Sequence, residues 1–138
     1  GMSGFNSEQE YTELSVLSES ATGQPTADSY PTNLTRGEPT SLLVGIDNHE
    51  GSAMTYTAVV ELQRLGSDGQ TVQARDTITQ FQTTLSHDQR IRRPVRVETY
   101  LKGENLRLVV LLYRGTDRTS IDEPYREVHF NVTVAEAN

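Results

Sequence analysis

Apolar and polar residues alternate along most of this chain, and the period is two. Leu42, Val44 and Ile46 share one phase of a strand expected at Ser41–Asp47. Tyr56, Ala58, Val60 and Leu62 share one phase of a strand at Met54–Leu65, with Thr57, Glu61 and Gln63 on the other. Gly66-Ser67-Asp68-Gly69 follows as a hairpin turn, because Asp-Gly tolerates positive φ, and Val72–Phe81 returns antiparallel. Val95, Val97 and Leu101 alternate with Arg96, Glu98 and Tyr100 in a further strand, whose start Pro94 places at an edge or a bulge. Leu106–Tyr113 is apolar on both phases, which predicts a strand in the middle of a sheet, covered on both faces. A buried helix is the alternative there, but Asn105 and Gly115 leave room for only about two helical turns. Tyr125–Ala135 turns Val128, Phe130, Val132 and Val134 inward, and a first strand is expected at Tyr11–Leu17.

Between the first two strands, residues 18–40 carry Gly23, Pro25, Pro31, Gly37 and Pro39 and read as a long ordered loop. Asn48–Gly51 reads as a tight turn, residues 83–90 as a polar connection and 115–124 as a polar loop. No segment has a convincing helical period. About seven short strands separated by turn signals predict an all-β fold, an immunoglobulin-like or fibronectin-III-like antiparallel β-sandwich. The tight hairpin keeps the third and fourth strands in one sheet, so strands one, two and five should face strands three, four, six and seven. Residues 1–10 are expected to be a disordered or tag-derived tail, since Gly1 precedes Met2, and residues 11–138 a single domain. The expected core is Leu42, Val44, Ile46, Tyr56, Val60, Leu62, Val95, Val97, Leu108, Val110, Phe130 and Val132.

The segments YPTNLTRGE, VGIDNHEG, YTAVVELQRL, LRLVVLLYRG and YREVHF occur in that order. Together they resemble an uncharacterised archaeal, haloarchaea-like family of predicted membrane proteins, a domain of unknown function (DUF1616). The likeness runs from about Tyr11 to Val134. It implies a soluble β-domain that accompanies transmembrane helices and sits outside the membrane. It implies no catalytic residues.

Charge narrows the function classes. There are 12 basic and 19 acidic residues, net −7, which argues against nucleic acid as a partner. The absence of Cys excludes disulfides and thiolate metal sites. No apolar run approaches the ~18 residues of a membrane-spanning helix. Lys102 is the only lysine, and low Lys with surplus acid resembles proteins of salt-loving archaea, although a GC-rich genome gives the same bias.

The candidate chemistry lies at one end of the sandwich. Asp47, His49 and Glu50 flank the first turn, and Asp117, Asp122 and Glu123 occupy the last loop. In a seven-strand sandwich the loops after strands two, four and six meet, so these residues and the His87–Asp88 loop should be neighbours. The carboxylates are expected within about one Debye length, roughly 8 Å, offset by Arg114, Arg118 and solvent rather than by a bound metal. The bland alternative for the first turn is self-capping by Asp47 and Asn48, with Gly51 at positive φ. Arg90, Arg92, Arg93 and Arg96 are expected to neutralise nearby carboxylates or guard an edge strand, with anionic lipid head groups or a surface glycan as the alternative partners. Asn33 and Asn131 stand in N-glycosylation sequons. There is no GxSxG, no HExxH and no glycine-rich phosphate loop. The reading is a non-catalytic, extracytoplasmic module with no cofactor. It has a binding or structural role at a cell surface, toward a surface protein or a glycan. Its membrane association runs through segments outside this chain. The rival is an enzyme or enzyme-accessory domain with a carboxylate-lined, cation-binding site at the loop end.

Overall fold

The structure is a computed structural model and describes residues 10–19, 25–26, 33–115 and 123–137. Its strands are β1 (Tyr11–Glu19), β2 (Pro25–Thr26), β3 (Asn33–Thr35), β4 (Thr40–His49), β5 (Met54–Leu65), β6 (Val72–Leu85), β7 (Arg90–Val97), β8 (Gly103–Arg114) and β9 (Arg126–Ala135). They form two sheets, ordered β2-β1-β4-β7 and β3-β9-β8-β5-β6. Every pairing is antiparallel except β3 with β9. The result is an immunoglobulin-like sandwich with the strand grouping that the hairpin implies.

The core lies between the two inward phases. Leu42, Val44, Ile46, Val95 and Val97 from one sheet meet Tyr56, Val60, Leu62, Leu108, Val110 and Val132 from the other. All eleven are buried, and Phe130 is partly buried against the same cluster. Burying each Val or Leu removes apolar surface worth about 1.5–3 kcal/mol.

The doubly apolar β8 is central in its sheet, between β9 and β5. Its outward Val109, Leu111 and Tyr113 form a second buried cluster with Val59. On that same outer face Glu61 and Gln63 are buried, where simple alternation would leave them wet. Glu61 Oε2 accepts bonds from Gln63 Nε2 and Arg75 Nη1, both at 2.6 Å, and Gln63 Oε1 accepts Arg107 Nη2 at 2.7 Å. A buried carboxylate persists only when its charge is met this way.

Two expected boundaries are corrected. The long loop contains β2 and β3, and β3 runs parallel to β9 with Leu34 in the core. A three-residue strand is too short to show a period. The strand expected over Val95–Leu101 instead spans Arg90–Val97. Arg96 was expected in this strand, while Arg90 fell in the polar connection of residues 83–90. β7 is an edge strand, where Pro94 forfeits no ladder bond and charged side chains discourage further pairing.

At the β5–β6 hairpin, Gly69 has φ +73°. Asp68 accepts the Thr71 hydroxyl and the Gln70 and Thr71 amides, which hold its carboxyl at a pKa of about 2.

Candidate functional site

Backbone hydrogen bonds gather the connections after β4, β6 and β8 at one end. Asp88 N–H donates to Asn48 O at 2.6 Å, Asn48 N–H to Gln89 O at 3.0 Å, and Gly115 N–H to Thr55 O at 2.7 Å. Asn48 is fully buried and ties the turn together. Its Oδ1 accepts Glu50 N–H at 2.7 Å, and its Nδ2 donates to Leu85 O at 2.9 Å and Ser52 O at 3.0 Å. Gly51 supplies φ +88°. The self-capping expected of Asn48 is therefore present, and Asp47 is turned to another task.

The turn separates its three candidate ligands. Glu50 points inward, between the sheets. Its Oε2 accepts the Tyr125 hydroxyl at 2.5 Å and the Thr12 hydroxyl at 2.7 Å. Thr12 Oγ1 also lies 2.7 Å from the Tyr56 hydroxyl, which completes a chain Tyr56–Thr12–Glu50–Tyr125. Thr12 and Tyr56 are buried and belong to opposite sheets. Arg114 and Arg126 bracket the Tyr125 ring, 4.0 and 4.1 Å from its centroid. Arg126 Nε also donates to Thr12 O at 3.0 Å.

Burial alone would push the Glu50 carboxyl up. The bonds from Tyr125 and Thr12, with the positive charge of Arg114 and Arg126, outweigh it and hold the carboxyl below its ordinary value. Burial raises the phenols of Tyr56 and Tyr125, and the negative charge of Glu50 adds to both.

Asp47 and His49 point the other way, onto the outer face of the β1–β4 pair. Register places Glu13 opposite Asp47 and Tyr11 opposite His49. Glu13, Asp47 and His49 each present a ligand atom within 4.8 Å of the others. Around them, Arg92 Nη1 lies 3.1 Å from Asp47 Oδ1, and His49 Nδ1 lies 3.0 Å from Asp88 Oδ1. The Tyr11 ring packs on the His49 ring at 4.9 Å.

Glu123 borders a hollow of about 300 Å³ with Tyr113, Arg114 and Tyr125. Asp117, Asp122 and Arg118 lie outside the described residues. Asn33 and Asn131 are exposed near the opposite end, on β3 and β9. Glu13 and Thr12 carried no local signal. Their roles follow from the β1–β4 register, across a long connection that a sequence pattern cannot set.

The sequence profile of the family described as Domain of unknown function (DUF1616) matches residues 6–133. The chain belongs to that family. No curated protein matches it. Several solved structures resemble this DUF1616 domain in fold. One is the CARDB domain of the PF1109 protein from Pyrococcus furiosus, in complex with di-metal ions. It is 12% identical with a TM-score of 0.54, over 95% of this chain and 100% of that domain. Another is the β-glucosidase from Listeria innocua in complex with isofagomine, at 14% identity and a TM-score of 0.57. There the likeness covers 91% of this chain but 16% of the enzyme. A third is the sporulation control protein Spo0M from Bacillus subtilis, at 15% identity and a TM-score of 0.52, covering 92% of this chain and 50% of that one. At such identities the likeness is one of fold. Among the described residues of this chain, no helix is long and apolar enough to cross a membrane.

Proposed function

We propose that this DUF1616 domain is a non-catalytic, extracytoplasmic module of a membrane-associated archaeal protein, with a binding or structural role at the cell surface. The observation that carries this reading is the engagement of Glu50. A catalytic acid or base needs a pKa moved toward neutrality and a free oxygen facing substrate. Glu50 is shifted the other way, and its Oε2 is taken by Thr12 of β1 and by Tyr125, just ahead of β9. Glu61 is likewise committed to Gln63 and Arg75. These carboxylates act as fastenings. The surplus of acid over base, 19 against 12, supports a surface that stays soluble at high salt.

The test is accessibility in intact cells. Trypsin added to cells carrying the full-length protein should cleave within this domain before lysis. Cleavage that appears only after lysis would place the domain inside the cell.

The cation-binding accessory reading keeps one specific support, the cluster Glu13, Asp47 and His49. Two carboxylates and an imidazole on neighbouring strands offer mixed oxygen and nitrogen ligation, which suits zinc or manganese more than calcium. The CARDB neighbour was solved with di-metal ions. Calorimetric titration with Zn²⁺ and Mn²⁺ decides this reading. Stoichiometric binding lost in His49→Ala would favour it, and no heat above buffer would remove it.

A further inference from the structure

A cleft of about 310 Å³ lies away from the loop end, where β3, the β5–β6 hairpin and the β8–β9 pair meet. Its polar lining is three amides and a hydroxyl, those of Asn33, Asn105, Asn131 and Thr133. Its apolar lining includes Leu65 and Leu106. Among the described residues no charged side chain lines it, although the chain carries 31 formally charged residues, 12 basic and 19 acidic. None of the four polar side chains makes a hydrogen bond among the described residues.

The backbone fixes where these groups stand. Asn33 pairs in register with Thr133, and Asn131 lies two residues along on the same face of β9. Asn105 has φ +62° inside the register shift between Gly103 and Leu106. Such irregularities re-aim a side chain out of the regular ladder. Strand-borne amides lose little conformational freedom on binding, which is the advantage of a preformed site.

We propose that this cleft binds a neutral polyhydroxylated ligand, a unit of a glycan. The inference rests on the surface-module reading above and gives it a ligand class. Each Asn amide offers two donors and a two-lone-pair acceptor, which matches vicinal hydroxyls that donate and accept together. Leu65 and Leu106 border the cleft but are almost wholly buried, so a sugar would be held chiefly through its hydroxyls. An anionic ligand would want cationic groups and a metal ion would want carboxylates, and the lining has neither. The volume is at the lower end of ligand pockets, enough for one or two sugar rings.

The sequon residues Asn33 and Asn131 both line this cleft, so a covalent glycan on either would fill it. The test therefore uses the chain made in a host that does not N-glycosylate, with a panel of neutral oligosaccharides: maltotriose, cellotriose, mannotriose and chitotriose. Side-chain amide signals of Asn33, Asn105 and Asn131 are followed by NMR. The expected result is saturable shifts of those three amides with at least one sugar. The midpoint should be unchanged between low and high salt, because no ion pair is involved. Asn105→Gly, which keeps the positive φ, and Asn131→Asp should each weaken binding about tenfold while leaving thermal unfolding nearly unmoved. Three results would overturn the proposal: no shift with any sugar, shifts that the two variants leave intact, or a glycan found covalently on Asn33 or Asn131 of the natural protein. Failure here with trypsin still cutting intact cells removes the glycan and keeps the surface module.

Discussion

The Tyr125 hydroxyl donates to Glu50 Oε2 at 2.5 Å, across 75 positions of sequence. This bond brings the residue just ahead of the last strand to the β4–β5 turn. Through Thr12 and Tyr56 it continues from one sheet into the other. An acid that the sequence places among the candidate site residues of the loop end is instead a buried fastening between the layers.

The pH dependence of stability follows from this chain of bonds. Glu50 is depressed below its ordinary value of 4.5. Its contribution is therefore complete above that pH and lost as pH falls through the folded-state pKa. Tyr56 and Tyr125 are raised above 10.0, so their contribution is complete below that value and lost as pH rises past it. Urea midpoints should plateau between these limits and fall on both sides. In Glu50→Gln the acid limb should flatten. A residual slope should remain from exposed Asp68 and Glu136, whose carboxyls are also held low. An acid limb identical to the parent's would mean that Glu50 is not held as described.

Core truncations should follow burial. Leu62 and Leu108 are essentially inaccessible. Leu62→Ala and Leu108→Ala should each cost about 2–5 kcal/mol in chemical denaturation. Losses under about 1 kcal/mol would place these side chains outside a packed interior.

Gly45 leaves room for two side chains on the outer face of β4. A Cβ there would stand 2.5 Å from Ser15 Oγ and 3.0 Å from Arg92 Nη1. Gly45→Ala should therefore push Arg92 from Asp47 and destabilise by roughly 1–3 kcal/mol. Adding Ser15→Ala should recover part of that loss. A Gly45→Ala variant as stable as the parent would show that Ser15 and Arg92 move aside at no cost.

Salt should stabilise the domain. The net charge is −7, and screening relieves repulsion among surplus carboxylates faster than it weakens the scattered surface pairs. Thermal melts should rise from low to molar NaCl or KCl. A melting point indifferent to both salts would remove the halophile argument and leave the fold standing.

Much of the sandwich was legible because its strands are long and alternate. β5 was read to the residue, and the two-phase apolarity of β8 announced its central place. β3 was not legible, since three residues carry no period. β7 was legible only in its inward half, where Val95 and Val97 stand out from the arginines. At the site, convergence of the loop end followed from topology. The inward turn of Glu50 did not, because it depends on Thr12 and Tyr125, which are distant in sequence. The pairing of Glu13 with Asp47 was hidden for the same reason. Asn33 and Asn131 were flagged as sequons, but only the parallel β3–β9 register places them beside one cleft.

The central claim is that the buried acid at the loop end is a structural fastening and not a reacting group. A double-mutant cycle on Glu50→Gln and Tyr125→Phe, measured by equilibrium denaturation near neutral pH, tests it most directly. A charge-assisted bond between these two residues predicts a coupling energy of about 1–3 kcal/mol. Single-variant losses that simply add, within about 0.5 kcal/mol, would contradict it.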